Sequence, residues 1–287
     1  MKVLIIVFIL TLIGPLNQLR AETSNFHLFS MGTLWKIDLY HPNKALKKEI
    51  LKNILNKKLQ KYDQTFSDWS PSSELRILEK KMESWLTPSP LFMRGLEYSQ
   101  EAFNHTQKKF DITIGSVLWK EAQKAVGLEK LQMRVKKGSK QFRFLTHPKR
   151  LTFGGIVKGM ALGRLSQILI KHNIKNFRVD AGGGNISIMG QKNSLMAWEE
   201  EIELGALTKD EIVFISRSKL TRPNGTKHIF SRTKTKKSKK FQSVILCKSP
   251  TNRVTDWERL ASISDALSTV QTFSNIKISQ SLNCKKL

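Results

Sequence analysis

The chain has 287 residues with 40% hydrophobic content, which is enough to bury the core of one domain or of two closely joined lobes and excludes a largely disordered protein. Lys and Arg total 49 against 23 Asp and Glu, a formal net charge of +26. Such an excess favours anionic surfaces, anionic substrates or nucleic acid as partners, and charge alone does not choose among them.

The first 21 residues are typical of a secretory signal peptide. Lys2 precedes the apolar run "VLIIVFILTLI" at 3–13, and a polar stretch ending in "LRA" leads to Glu22. The run is short for a membrane span, and an uncleaved anchor or a buried helix is the alternative. We therefore expect an exported protein that consists of a signal peptide at 1–21 and one domain at 22–287. Cys247 and Cys284 show no metal-ligand spacing, and an oxidising compartment would allow them to pair.

Strand and helix patterns are mixed along the mature chain, which predicts a mixed α and β fold. The segment "TLWKIDLY" at 33–40 alternates like a strand, whereas 44–62, 95–108 and 156–172 fit helices. In "KFDITIGSVLW" at 109–119, apolar residues alternate with polar or small ones.

Two glycine clusters bracket the helix predicted at 156–172. The first, "FGGIVKG" at 153–159, opens that helix, so its backbone N–H groups and Lys158 are suited to a phosphate group. The second, "VDAGGGNISIMG" at 179–190, lies between strand-like runs with no helix directly after it. It lacks the strand, turn and helix context of a dinucleotide-binding fingerprint, and the turn of a hairpin explains it.

The segment "ISDALSTV" at 263–270 places three oxygen-bearing side chains among apolar neighbours. If it is helical, Asp265, Ser268 and Thr269 share one face, and convergent oxygens suit a hard cation such as magnesium. Alternatively, Ser264 or Asp265 caps a helix, and Ser268 and Thr269 only hydrogen-bond to its backbone. Caps are the commoner feature, and this segment alone leaves both interpretations open.

The later part of the chain carries a histidine and a basic run. His228 in "KHIF" suits a general base or a phosphate contact, although a lone histidine is more often an ordinary surface or core residue. The run "SRTKTKKSKK" at 231–240 is typical of a solvated loop.

Seven motifs, taken in order, resemble those of the ApbE-type FAD:protein FMN transferases. They span about 31–270 and read "MGTLW" (31–35), "FSDWSPSSEL" (66–75), "FDITIG" (110–115), "GGIVKG" (154–159), "VDAGGGN" (179–185), "HIF" (228–230) and "SDALSTV" (264–270). The resemblance implies a compact α+β fold with FAD in a central cleft. It also implies export, either to the periplasm or to the outer face of the inner membrane.

The resemblance further implies a reaction and its residues. Family members transfer FMN from FAD to a threonine hydroxyl of an acceptor protein, with release of AMP. Asp265, Ser268, Thr269 and the backbone carbonyl of Gly155 match the magnesium site, and His228 matches the histidine that activates the acceptor threonine. The residues that match FAD contacts are Met31, Trp69, Lys109, Phe110, Asp111, Thr152, Lys158 and Ile229.

This chain departs from the family pattern at several positions. Thr152 stands where the family often has Asp, Glu79 stands where it has Asn, and "SRTKTKK" replaces the usual residues after the histidine. One alternative function is therefore FAD binding or hydrolysis, in which water replaces the threonine. Another is an exported protein that binds polyanions. Nucleic acid is not an expected partner, whereas the basic residues allow association with a membrane surface.

Overall fold

A computed structural model describes residues 23–40, 48–115, 126–148, 150–190, 211–219, 242–272, 274 and 276–287. Its nine strands are β1 (Thr23–Ser30), β2 (Thr33–Tyr40), β3 (Leu131–Lys136), β4 (Ser139–Phe144), β5 (Phe177–Ala181), β6 (Asn185–Met189), β7 (Glu211–Lys219), β8 (Gln242–Pro250) and β9 (Cys284–Lys286). Its α-helices are α1 (Lys48–Phe66), α2 (Glu74–Glu79), α3 (Pro90–His105), α4 (Val157–Lys171) and α5 (Trp257–Gln271). The expected α+β fold is confirmed.

Seven of these strands form one antiparallel sheet in the order β1, β2, β5, β6, β7, β8, β9, and β3 pairs with β4 in a separate hairpin. The predicted strand at 33–40 is β2. The glycine cluster at 182–184 turns the chain between β5 and β6, where Gly182 and Gly183 adopt φ values of +66° and +75°. Glycine adopts this left-handed region without steric cost, so the hairpin interpretation of the cluster is confirmed.

Helices α4 and α5 pack against each other and against the same face of the sheet. Phe214 of β7 lies edge-on to Trp257 of α5, and Ser187 of β6 is 2.9 Å from Ser166 of α4 between hydroxyl oxygens. A side chain at Gly159 or Gly163 of α4 would collide with the backbone of α5, because an added Cβ would lie 2.2 Å from Ala261 O or 2.4 Å from Trp257 O. The two helices are therefore in backbone contact.

The predicted helices differ from the observed ones mainly at their ends. The helix at 156–172 is α4, and the described part of the helix predicted at 44–62 is α1, which runs on to Phe66. The helix predicted at 95–108 begins earlier, at Pro90, because the Ser89 hydroxyl caps it by accepting a hydrogen bond from Phe92 N.

The alternation at 110–114 does not form a strand. Residues Ile112–Ile114 form a short 3-10 helix instead. Asp111 Oδ1 caps it by accepting hydrogen bonds from the backbone N–H and the hydroxyl of Thr113, at 2.9 and 2.7 Å. Such local side-chain bonds compete with a strand ladder.

Cys247 and Cys284 lie opposite each other on β8 and β9 and form a disulfide. This bond joins the C-terminal strand to the main sheet. In the described part of the chain, no helix combines the length and the apolar character needed to cross a membrane. The predicted signal peptide at 1–21 lies outside the described residues.

Candidate functional site

The glycine loop at 153–159 leads directly into α4. Ile156, at the N-terminal boundary of the helix, makes no side-chain capping hydrogen bond, and Lys158 Nζ donates to Gly154 O at 3.3 Å. The first N–H groups of a helix have no acceptor within the helix and lie at the positive end of its dipole. Several N–H groups here have partners within the protein, because Ile156 N and Val157 N donate to Phe153 O. The loop thus offers an anion the positive end of the helix dipole and one ammonium group.

Asp265 lies in the middle of α5 and is 3% exposed. Its Oδ2 accepts a hydrogen bond from Gly159 N at 3.1 Å, and its Oδ1 accepts one from Asn185 Nδ2 at 3.3 Å. Burial raises the pKa of Asp265, while the positive charge of Lys158 and the hydrogen bonds to the carboxylate oppose that rise. The capping interpretation of Asp265 is wrong, because α5 begins eight residues earlier, at Trp257.

The hydroxyls of Ser268 and Thr269 both donate to the backbone oxygen of Asp265, at 2.9 and 3.0 Å. In this respect the backbone-bonding interpretation was correct. Thr269 is half-buried and also borders the glycine loop, because an added Cβ on Gly155 would lie 3.1 Å from Thr269 Oγ1. Asp265 and Thr269, which are one helical turn apart on α5, therefore meet the glycine loop, which is distant from them in sequence.

This donor set fits a hard cation. It offers a carboxylate, a hydroxyl and backbone carbonyl oxygens, which are the ligands that magnesium prefers. Among the described residues, no group of three or more His, Cys, Asp and Glu side chains is placed to hold a metal. Within the part of the chain that the structure describes, an ion here would therefore depend on one carboxylate, with the other oxygens of its shell supplied by hydroxyl and backbone carbonyl groups or by a bound ligand.

One of the predicted FAD contacts, Phe110, lies beside the glycine loop. Phe110 Cε2 would be 3.1 Å from a Cβ on Gly155, so its ring adjoins the loop. Asp111 follows it and is buried, with Oδ1 used to cap the 3-10 helix. Lys109, just before the ring, is half-buried. Met31 occupies the β1–β2 turn with φ +52° and packs partly against the core.

A cleft of about 470 Å³ is connected to the start of the loop through Asp68, a lining residue that accepts a hydrogen bond from Thr152 Oγ1. Its lining residues are mostly charged or aromatic: Asp68, Trp69, Pro71, Arg76, Glu79, Lys80, His147 and Arg150. Trp69 is 80% exposed and therefore presents a large aromatic surface to solvent. A ring placed in this way is suited to stacking on a flat ligand.

The two departures from the family pattern, Thr152 and Glu79, belong to one hydrogen-bond network with Asp68. Thr152 Oγ1 donates to Asp68 Oδ2 at 2.7 Å, and Glu79 Oε1 accepts from Leu151 N at 2.6 Å. Arg76 pairs with both Asp68, at 3.1 Å, and Glu79. Both changed residues are therefore accommodated by partners in this chain.

Sequence reasoning missed Asp68, Asn185, Ser216 and Ser218 as members of the site. Asp68 and Asn185 stand within quoted motifs, which is a usable signal. Ser216 and Ser218 alternate with other residues along β7 and carry no signal of their own. The predicted site residues His228 and Ile229, together with the basic run at 231–240, lie outside the described residues.

Comparisons with known proteins agree on one family. The sequence model of the ApbE family matches residues 31–221. A curated relative, the FAD:protein FMN transferase of Buchnera aphidicola subsp. Schizaphis graminum, is 24% identical over 187 residues, which cover 58% of this chain and 54% of that protein. The match thus spans about half the length of this relative.

Solved structures extend the likeness over most of the chain. The flavin transferase ApbE from Vibrio cholerae is 15% identical with a TM-score of 0.65, covering 87% of this chain and 86% of its own. The apo flavinyl transferase ApbE of Pseudomonas stutzeri is 13% identical with a TM-score of 0.65, covering 87% and 85%. The ApbE protein of Thermotoga maritima is 16% identical with a TM-score of 0.63, covering 88% and 87%. At such identities the structures show the fold, and the match of the family model over two thirds of the sequence shows that this chain belongs to the ApbE family.

Proposed function

We propose that the protein transfers FMN from FAD to the side-chain hydroxyl of a threonine in an acceptor protein, with release of AMP, in a magnesium-dependent reaction. Membership of the ApbE family and the name of the Buchnera relative support the transferase activity. The observation that carries the proposal is the meeting of Asp265 and Thr269 of α5 with the glycine loop of α4.

The chain's own groups would hold the FAD pyrophosphate through the glycine loop. The backbone N–H groups at the start of α4 and the ammonium of Lys158 supply positive potential where the phosphates carry negative charge. Trp69 would stack on a ring at one end of FAD. The remaining contacts carried over from the family are Met31, Lys109, Phe110, Asp111, Thr152 and Ile229.

Asp265, Thr269 and the backbone carbonyl of Gly155 would hold the magnesium ion. A bound ion of this kind neutralises charge that shifts among phosphate oxygens when a pyrophosphate bond breaks. We assign Ser268 a supporting role rather than direct ligation, because its buried hydroxyl already lies 2.8 Å from the hydroxyls of both Ser216 and Ser218.

In the transfer step, the threonine oxygen of the acceptor forms a bond to the phosphorus of the FMN half. The bond between that phosphorus and the bridging oxygen breaks, and AMP leaves with that oxygen and its electron pair. The hydroxyl proton passes to a base, which the family resemblance assigns to His228. The products are a phosphoester-linked flavin on the acceptor and free AMP.

The test is to incubate the purified mature chain with FAD, magnesium and threonine-containing candidate acceptors, and to detect protein-bound flavin by in-gel fluorescence. Asp265→Asn should lose transfer, and Thr269→Val should lose it less severely, because a neutral hydroxyl contributes less than a carboxylate to holding a divalent ion. Asp256→Asn is the matched control, since Asp256 is exposed and makes no side-chain capping bond at the start of α5.

Two results would contradict the proposal. Full transfer by Asp265→Asn with an unchanged response to magnesium would remove the metal role. Release of FMN and AMP by the wild type without any labelled protein would instead assign a hydrolase, in which water replaces the threonine.

We further propose that the protein acts after export, in the periplasm or at the outer face of the inner membrane. The leader at 1–21 and the disulfide between Cys247 and Cys284 support this location, because disulfides persist in oxidising compartments. Mass spectrometry of the cellular protein should find its N-terminus near Glu22, and a stable full-length cytoplasmic form would contradict the proposal.

A further inference from the structure

A buried polar network surrounds Asp265 on the side of the sheet. Asn185, the first residue of β6, is 3% exposed and donates through Nδ2 to Asp265 Oδ1 at 3.3 Å. Its own Oδ1 accepts a hydrogen bond from Ser216 Oγ on β7 at 2.7 Å. The amide of Asn185 therefore lies between a carboxylate and a hydroxyl, and each end of it has a partner.

The network continues from Ser216 back to the backbone of the same aspartate. The hydroxyls of Ser216 and Ser268 lie 2.8 Å apart, and Ser268 Oγ is 2.9 Å from Asp265 O. The hydroxyl of Ser218 is also 2.8 Å from that of Ser268. These contacts form a ring that runs from the side chain of Asp265 to its main chain. Each hydroxyl has one proton, so with Ser216 donating to Asn185, the proton of Ser268 is shared between two acceptors, Ser216 Oγ and Asp265 O.

These contacts fix the orientation of the Asn185 amide. If the Asn185 amide were turned over, its oxygen would face the Asp265 carboxylate, and two acceptors would be in contact. The only favourable arrangement turns the NH₂ group to Asp265 and the carbonyl oxygen to the Ser216 hydroxyl. A carboxylate has about four acceptor positions, so the bonds from Asn185 and Gly159 leave room for an ion.

We propose that Asn185, Ser216 and Ser268 are positioning residues that hold the Asp265 carboxylate in the orientation required to bind magnesium. This inference rests on the proposed function of Asp265 as a metal ligand. A buried polar network rigidifies its members when every group is satisfied, whereas breaking one link leaves the others unpaired. Partners of this kind behind a metal ligand typically change metal affinity about 10–100-fold when they are removed.

The experiment measures the affinity of the protein for Mn²⁺, used as the probe ion, in the presence of saturating FAD. The concentration of free Mn²⁺ is read from its electron paramagnetic resonance signal. Asn185→Ala and Ser216→Ala should each weaken Mn²⁺ binding by about 10-fold or more. Thermal unfolding in a chelator, recorded in parallel, separates loss of metal affinity from loss of stability.

Ser187→Ala is the matched control. Ser187 is a fully buried serine on β6 whose hydroxyl bonds to Ser166 of α4 at 2.9 Å. It occupies the same interface between sheet and helices, and within the described part of the chain its side-chain hydrogen bond leads to α4 and not to Asp265. Its removal should lower stability about as much as Ser216→Ala while leaving Mn²⁺ affinity within about twofold of wild type.

The possible outcomes distinguish the positioning role of Asn185 and Ser216 from the metal-binding role of Asp265 on which it rests. If Asp265→Asn loses Mn²⁺ binding but Asn185→Ala and Ser216→Ala both retain wild-type affinity, the positioning role is wrong and the metal site stands. If Asp265→Asn itself retains Mn²⁺, the metal site fails, and the positioning role fails with it. Should Asn185→Ala fail to fold, Ser216→Ala alone decides, because it removes only a hydroxyl.

Discussion

The Thr152 hydroxyl donates to the Asp68 carboxylate at 2.7 Å and lies 3.3 Å from Gly154 N, from which it accepts. One side chain thereby ties the segment that carries Trp69 to the loop proposed to hold the phosphates. Arg150 adds a second tie, because its Nη2 donates to Asp68 O at 3.0 Å. Asp68 therefore joins the segment at 150–154 to the segment that carries Trp69.

The first prediction concerns pH and Asp68. Burial raises the pKa of Asp68, and hydrogen bonding to Thr152 and the charge of Arg76 only partly offset the rise. Because the folded protein favours the protonated acid, Asp68 contributes most to stability below its unfolded pKa of about 4, and this contribution is lost as pH rises through the folded pKa.

Urea unfolding of wild type and Asp68→Asn across this range measures the effect. The difference in free energy of unfolding, wild type minus variant, should fall from acidic to neutral pH. Thr152→Val should move that fall to higher pH, since its hydroxyl stabilises the ionised form. A difference that grows with pH would show that Asp68 has a lowered pKa instead.

The second prediction is that Trp69→Ala separates binding from stability. With 80% of Trp69 exposed, its removal should change the free energy of unfolding by less than about 0.5 kcal/mol. Loss of an aromatic stacking partner should lower the affinity for FAD by about 5-fold to 100-fold, which is the range found where nucleic-acid bases stack on aromatic side chains. Titration of FAD fluorescence gives the affinity. Trp69→Phe should recover most of it, and an unchanged affinity in Trp69→Ala would place the flat rings of FAD elsewhere.

The third prediction concerns the contact between α4 and α5. In Gly159→Ala the new methyl group would meet Ala261 O at 2.2 Å, a backbone atom that cannot turn aside. We expect destabilisation of about 3 kcal/mol or more. Gly154→Ala is the control, because its methyl group would meet only Thr152 Oγ1, at 3.4 Å. Chemical unfolding should therefore distinguish two glycines of the same motif, and equal stabilities would contradict the close helix contact.

The fourth prediction tests the disulfide. Cys247 and Cys284 are separated by 37 residues, and opening a loop of this size should cost about 2–4 kcal/mol of stability. Cys284→Ser should lower the melting temperature by the same amount as a reducing agent lowers that of wild type. The variant itself should not respond to reductant. If reductant leaves the melting temperature of the wild-type protein unchanged, Cys247 and Cys284 do not form a disulfide.

Elements with a clear local pattern were predictable from the sequence. The period of two at 33–40 and the helical spacing at 156–172 identified β2 and α4 because burial of one face imposes those periods. The sequence also contained a signal for the early start of α3, because Ser89 followed by Pro90 is a typical helix start, although the helix predicted at 95–108 did not use it. At 110–114 the alternating pattern alone did not identify the 3-10 helix, which depends on a local hydrogen bond to the Asp111 carboxylate.

The candidate site was predictable only in part. The resemblance named Asp265 and the glycine loop, and the structure brings them together through the bond from Gly159. The partners behind them depend on contacts between distant segments, such as the bond between Asn185 and Asp265 across 80 residues. The periodicity of hydrophobic residues in the sequence does not predict a contact between two polar side chains so far apart in the chain. A serine that alternates along β7 has the same pattern whether its hydroxyl meets water or another buried hydroxyl.

The backbone contact at Gly159 gives the last glycine of the motif "GGIVKG" a packing role that is independent of the proposed chemistry. A relative without catalytic activity would still require Gly159 to pack α4 against α5, so we expect the glycine to be retained for packing alone. Lys158 and Thr269 are only half-buried, and the helix contact does not require them. In relatives that no longer carry out the proposed reaction, substitutions are therefore expected at Lys158 and Thr269 before they are expected at Gly159.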